Sequence, residues 1–156
     1  MKPNIGITPE NLLKVTEILS AVLADGMVIY LKTRKFHWNV SGESFMEYHK
    51  LFEMHYTKLE EAIDEVAERI SKLGSMAIGT TTEFSSMSQI KESPGKNPSS
   101  IEMVKELLNL VRYFLRLAPA SIAASFYSNV HFSKMYCNGL KNRTTLLFWY
   151  ININEI

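Results

Sequence analysis

Apolar positions recur at steps of three and four along most of the chain up to Leu115, and that spacing predicts helices. Thr8, Pro9 and Glu10 mark a helix start: a side-chain acceptor for unpaired amides, a residue with no amide to leave unpaired, and a negative charge at the positive end of the helix dipole. Leu12, Val15, Ile18, Leu19, Val22, Leu23, Met27, Ile29 and Tyr30 continue the period to about Lys35 and define a broad face to be buried. Ser41-Gly42 breaks it. Ser44 with Glu47 three residues later has the form of a capping box, and Phe45, Leu51, Phe52, Tyr56, Leu59, Ile63, Val66, Ile70 and Leu73 carry a second helix to Gly74. A helix of about thirty residues is far longer than the mean and has the length of an element spanning a whole helical bundle.

Between Gly74 and Ser100 the composition turns to Ser, Thr, Gly and Pro, with an apolar patch at Phe84, Met87 and Ile90 long enough for one or two helical turns. This stretch reads as a crossover connection. Ile101, Val104, Leu107, Leu108, Val111, Phe114 and Leu115 form the next helix, limited by Pro119. From Ala120 onward the apolar residues come in patches without a sustained period, and β-formers are dense in Thr144–Ile151; a fourth bundle helix is expected there. The whole, residues 1–156, is expected to be one all-α domain with a sizeable core.

Composition narrows the function. The formal net charge is +1, and every acidic residue except Glu155 lies before Leu107. Lys2 is the only basic residue before Lys14, so the start of the chain offers no cationic run to grip phosphates. The apolar runs fall short of the ~20 residues that span a bilayer, no signal-like segment is present, and the expected location is the cytoplasm with no membrane contact. Cys137, the single cysteine, has no partner for a disulfide or a zinc knuckle and reads as a small buried hydrophobe.

The chemistry concentrates between His37 and Leu73. His49, Glu53, Asp64 and Glu68 fall within an arc of about 100° on the second helix, so they share one stripe. Yet His49 and Asp64 stand about 22 Å apart along that helix, too far for one metal site. A two-fold axis resolves this. The pairs His49/Glu68 and Glu53/Asp64 share one midpoint, between Lys58 and Leu59, so antiparallel pairing of two copies sets each residue against its pair-mate on the other chain. His37 would add an imidazole from the first helix. Imidazole and carboxylate without thiolate suit ferrous iron, with manganese and zinc as alternatives. Two irons sharing carboxylates would each give one electron to a two-electron oxidant such as peroxide. The competing reading is a solvated helix face with a surface or interface histidine. His55 lies off the stripe and is not expected to be a ligand, and His131 reads as structural.

The segment His37-Trp38-Asn39-Val40, then Gly42, Phe45, His49, Phe52-Glu53, Tyr56, Leu59, Asp64, Ala67-Glu68-Arg69-Ile70 and Leu73-Gly74, resembles the signature of the Dps mini-ferritins. The likeness covers roughly residues 8–109. It implies a ferritin-like four-helix bundle with a short helix in the crossover, assembled through two-fold dimers into a hollow homododecamer. Iron would be oxidised by hydrogen peroxide at the dimer interfaces and stored as ferric mineral. Carried over by position, His37, His49 and Glu53 match metal ligands of one subunit, and Asp64 and Glu68 those of its mate. Glu53 stands where many relatives have aspartate. Trp38 matches an aromatic beside the centre, an auxiliary group that takes up stray oxidising equivalents or simply packs in the core. DNA binding, from which the family takes its name, is the alternative function. The glutamate-x-x-histidine motif of classical ferritins is absent. After about Asn109, residues 110–156 diverge from the family pattern and carry one acidic residue, so candidates for carboxylate-lined pores are missing there.

Overall fold

The computed structural model describes residues 5–117; the expected fourth helix, Pro119, His131 and Cys137 lie outside them. The described elements are all helical: α1 (Pro9–Asn39), α2 (Phe45–Lys72), a short α3 (Thr81–Met87) and α4 (Ser100–Leu117). Both long helices and the crossover helix fall where the apolar period placed them.

α1 starts at the Thr8 cap, whose side chain accepts from the Asn11 amide at 3.4 Å. It runs to Asn39, one turn beyond the expected end at Lys35. Tertiary contacts hold that extra turn, because Phe36 is packed with Val40, Phe52, Met103 and Leu107 in an apolar cluster at this end of the bundle. The buried face in the first turns is narrower than expected. Val15 and Ile18 are 40% and 62% exposed, while Leu19 is buried as expected and Thr16 and Ser20 are buried beside it. Thr16 tolerates burial because its hydroxyl donates to the Leu13 carbonyl at 2.9 Å.

The capping box expected at Ser44 and Glu47 does not form. Ser44 is left-handed (φ 59°, ψ 28°) and makes no side-chain cap bond to α2. A capping side chain folds back on the amides only from an extended residue, and the tight reversal from α1 at Gly42 (φ 98°) leaves Ser44 otherwise. Capping boxes form elsewhere, Thr80 with Glu83 on α3 and Ser99 with Glu102 on α4. α2 stops at Gly74, whose φ of 84° suits a residue without a Cβ. The Gly74 amide donates to Ser71 and that of Ser75 to Ile70, which satisfies carbonyls of the last turn.

α1 packs along α2 through Leu19, Val22, Leu23 and Ile29 against Leu59, Ala62, Val66 and Ile70, with Val111 and Phe114 of α4 closing the cluster. Such apolar side chains contribute about 1.5–3 kcal/mol each when fully buried. The exposed ion pairs Glu10–Lys14 and Glu68–Lys72 each lie within one helix, so packing is what holds α1 to α2. Close approach depends on Gly26, since a Cβ there would sit 3.1 Å from Ile63 and from Phe114.

The crossover is tied down by charge and hydrogen bonds. Asp25 is 1% exposed on α1 and accepts from the Ser88 hydroxyl (2.7 Å), the Gln89 amide (2.8 Å) and the Tyr113 phenol (3.2 Å). Burial first, and then the Asp25 charge, push the Tyr113 phenol up from its ordinary value. His55 on α2 is buried, as a residue off the ligand stripe, and burial pushes its imidazole down to about 4.

Two outcomes are expected. Asp25→Ala leaves the Ser88 hydroxyl and the Gln89 amide without their acceptor, with Tyr113 keeping only Gln89 Oε1 at 3.4 Å, and should cost about 3 kcal/mol in urea unfolding. His55 is held neutral in the fold, so the unfolded chain takes up the proton first; the associated stability is complete above about pH 6.5 and lost as pH falls toward about 4. That loss amounts to about 3 kcal/mol, and His55→Leu should flatten this part of the stability profile measured by urea unfolding across pH.

Candidate metal centre

The last turn of α1 and the second turn of α2 place His37 and His49 face to face. Their rings stack with centroids 3.6 Å apart and planes 26° from parallel. Each ring reaches the other residue's backbone: His37 Nδ1 lies 2.8 Å from the His49 carbonyl, and His49 Nδ1 lies 2.9 Å from the His37 carbonyl. A carbonyl oxygen only accepts, so the proton of each ring belongs on Nδ1. Each neutral ring then keeps its lone pair on Nε2, the form in which an imidazole binds metal. Neighbouring rings fix the pair. Phe45 stacks on His49 at 5.1 Å, and Tyr56 meets His37 edge-on at 5.3 Å.

The three carboxylates lie farther along α2. Glu53, one turn beyond His49, is exposed, as are Asp64 and Glu68. The Glu68 carboxylate lies 2.6 Å from the Lys72 ammonium, whose hydrogen bond and charge hold it below the usual carboxylate range. α2 is unbroken from Phe45 to Lys72, so Asp64 and Glu68 stay near its far end, away from the histidines. Among the described residues, one chain assembles no group of three or more histidine, cysteine, aspartate or glutamate side chains able to hold a metal. The fold thus brings His37 and His49 together, sets Glu53 beside them on the helix, and leaves Asp64 and Glu68 apart.

Arg34, which the spacing did not single out, organises the surroundings. Its guanidinium lies over Tyr56 (4.9 Å), Trp38 (5.3 Å) and Tyr30 (5.6 Å), and Nη1 donates to the Tyr30 hydroxyl at 2.7 Å. That hydrogen bond is the main influence raising the guanidinium above its ordinary value. The sequence signal was the i, i+4, i+8 series Tyr30, Arg34, Trp38 on α1. Trp38 itself is 63% exposed in the single chain, so it does not pack in the core.

Comparison with known proteins bears on this arrangement. The Ferritin-like domain family matches residues 16–125. The chain is 42% identical over 105 residues to a low temperature-induced protein of Nostoc sp., an alignment taking in 67% of this chain and 59% of that protein. It is 35% identical over 96 residues to the DNA protection during starvation protein of Helicobacter pylori, covering 62% of this chain and 67% of that one. The chain therefore spans less than two thirds of the Nostoc relative. Among solved structures, the Dps protein from Vibrio cholerae O1, described as a member of a broad superfamily of ferritin-like diiron-carboxylate proteins, is similar with a TM-score of 0.64. That pair is 28% identical, covering 97% of this chain and 96% of that one. No helix among the described residues is long and apolar enough to cross a membrane.

The carbonyl contacts generate an expectation for the metal-free protein at neutral pH. Both His37 and His49 should show the Nδ1-protonated tautomer in ¹⁵N-detected imidazole spectra. His49→Ala removes the ring that donates to the His37 carbonyl but keeps the backbone carbonyl that His37 Nδ1 faces, so His37 should retain the Nδ1-protonated tautomer.

Proposed function

The chain belongs to the ferritin-like domain family and within it to the Dps mini-ferritins, and from that membership we propose that it oxidises ferrous iron with hydrogen peroxide at sites shared by two subunits and stores the ferric product in a dodecameric shell. The observation that carries this reading is the histidine pair, which presents two Nε2 lone pairs beside an exposed carboxylate stripe.

Iron is the substrate, and the donor set fits it: two imidazole nitrogens and three carboxylates, without thiolate. His37, His49 and Glu53 of one subunit would hold it together with Asp64 and Glu68 of the mate. Manganese and zinc are accepted by the same donor types. Two ferrous ions supply the two electrons that break the peroxide O–O bond, and two protons complete two waters. No hydroxyl radical is released when both electrons arrive together. The carbonyl anchors leave both Nε2 atoms free of those bonds, and Tyr56 braces His37. Lys72 must leave Glu68 when the metal arrives. That contact joins two well-exposed side chains and yields at little cost. Trp38, beside His37 and exposed, takes the auxiliary part of absorbing stray oxidising equivalents. DNA binding has no comparable support, since a net charge of +1 gives little surplus for a phosphate backbone.

Co-assembly of two variants tests the shared site. His49→Ala and Asp64→Ala should each abolish fast peroxide-dependent iron oxidation on their own. Mixed dimers restore one complete site of two, so random co-assembly at equal amounts should recover about a quarter of the parental rate. No recovery on mixing, or parental rates in either single variant, would sink the proposal.

A further inference from the structure

On the other side of α1 from Tyr30, Arg34 and Trp38, its C-terminal half, the crossover and α4 line an open cleft of about 410 Å³. Its wall carries Lys32, Lys35 and Lys96 against one acidic side chain, Glu106. The formal balance of these groups is two positive charges.

Lys32 is more than nine-tenths buried, where an ammonium is costly unless it is paired. It is met by Glu106 and donates to the Lys91 carbonyl at 3.1 Å. Glu106 therefore serves Lys32. Lys35 donates one of its three N–H bonds to the Ser93 carbonyl at 3.0 Å and faces no carboxylate. Lys96 makes no ion pair among the described residues. Ser93 and Asn97 add a hydroxyl and an amide to the wall. The Asn97 amide already gives one hydrogen to the Asn39 carbonyl, at 3.1 Å.

The wall is hydrocarbon over most of its area, from Phe36, Pro98 and the lysine stems, and its polar part carries surplus positive charge, with the two α1 ammonium groups fixed by backbone carbonyls. The cleft is open toward the exposed Ser93, Lys96 and Asn97, and its apolar floor at Phe36 and the buried Lys32 lower the dielectric on one side only. The volume is that of a small-molecule pocket and exceeds what a lone phosphate needs. A phosphoryl group matches the charge balance, and lysine binds phosphate as a point charge without a fixed fork geometry.

We propose that this cavity binds a small phosphate-bearing anion, either free phosphate species or the phosphoryl group of a small organic compound. The site is separate from the histidine pair and does not depend on iron chemistry.

Isothermal titration of the metal-free full chain with inorganic phosphate, pyrophosphate and AMP tests it. At least one of the three should give saturable 1:1 binding per subunit. Preference for pyrophosphate or phosphate identifies a free-anion site, and preference for AMP an organic phosphate. Lys35→Gln with Lys96→Gln should weaken the best ligand by about tenfold or more while leaving helix content unchanged by circular dichroism. Lys58→Gln, outside the cavity, should leave binding as it was. Absence of saturable binding by all three probes overturns the proposal. So does equal affinity in the double variant, or an equal loss in Lys58→Gln.

Discussion

The arrangement of this protein's chemistry depends on one reciprocal interaction, the exchange of imidazole–carbonyl hydrogen bonds between His37 and His49. A helix ends with carbonyls that have no donor of their own, and the His37 carbonyl is one of these in α1. The His49 ring supplies that donor, while the His37 ring uses a lone pair on the His49 carbonyl. The exchange thus closes the end of α1, fixes α2 against it and sets the proton position on both rings. Phe36 and Val40, on either side of His37 in the chain, pack with Phe52 of α2 in an apolar cluster, so the same end of α1 is held by hydrocarbon as well as by these bonds. Local structure and ligand chemistry are here the same few bonds.

What could be read in advance was whatever depends on periodicity along one helix. The start of α1, the length of α2, the stop at Gly74, the short crossover helix and the shared stripe of His49, Glu53, Asp64 and Glu68 all follow from spacing. Features set by a neighbouring element were not legible. The extra turn of α1 exists because Phe36 finds Met103 and Leu107 on α4. Ser44 fails as a cap because the preceding turn dictates its backbone. Val15 and Ile18 are apolar yet exposed, since their place on the helix lies beside the contact and not within it. Spacing did not single out Arg34, and only the folded arrangement puts Tyr56 of α2 under a guanidinium already lying over Tyr30 and Trp38. For the ligand set, one chain yields the imidazoles, and spacing alone suggests what must complete them.

The aromatic and cationic groups also show how one helix serves two environments. Arg34 and Lys35 are consecutive, yet Arg34 turns toward tyrosines and tryptophan while Lys35 turns toward the crossover backbone. Adjacent residues on a helix diverge by about 100°, so α1 presents unlike chemistry on its separate sides. Gly26, on a third side, lets the bundle close around it.

The crossover has a distinctive kind of attachment. α3 contains no fully buried residue, and the segment that follows it is fastened to α1 by Asp25 at Ser88 and Gln89 and by Lys32 and Lys35 at the carbonyls of Lys91 and Ser93. These anchors are polar, and their strength does not rest on the entropy of water around hydrocarbon. Cooling weakens the apolar grip between α1 and α2 more than it weakens these ties. Phe84 and Ile90 of this long strap also pack on that core, so in the cold it is the polar ties that keep the strap in register while those apolar contacts slacken.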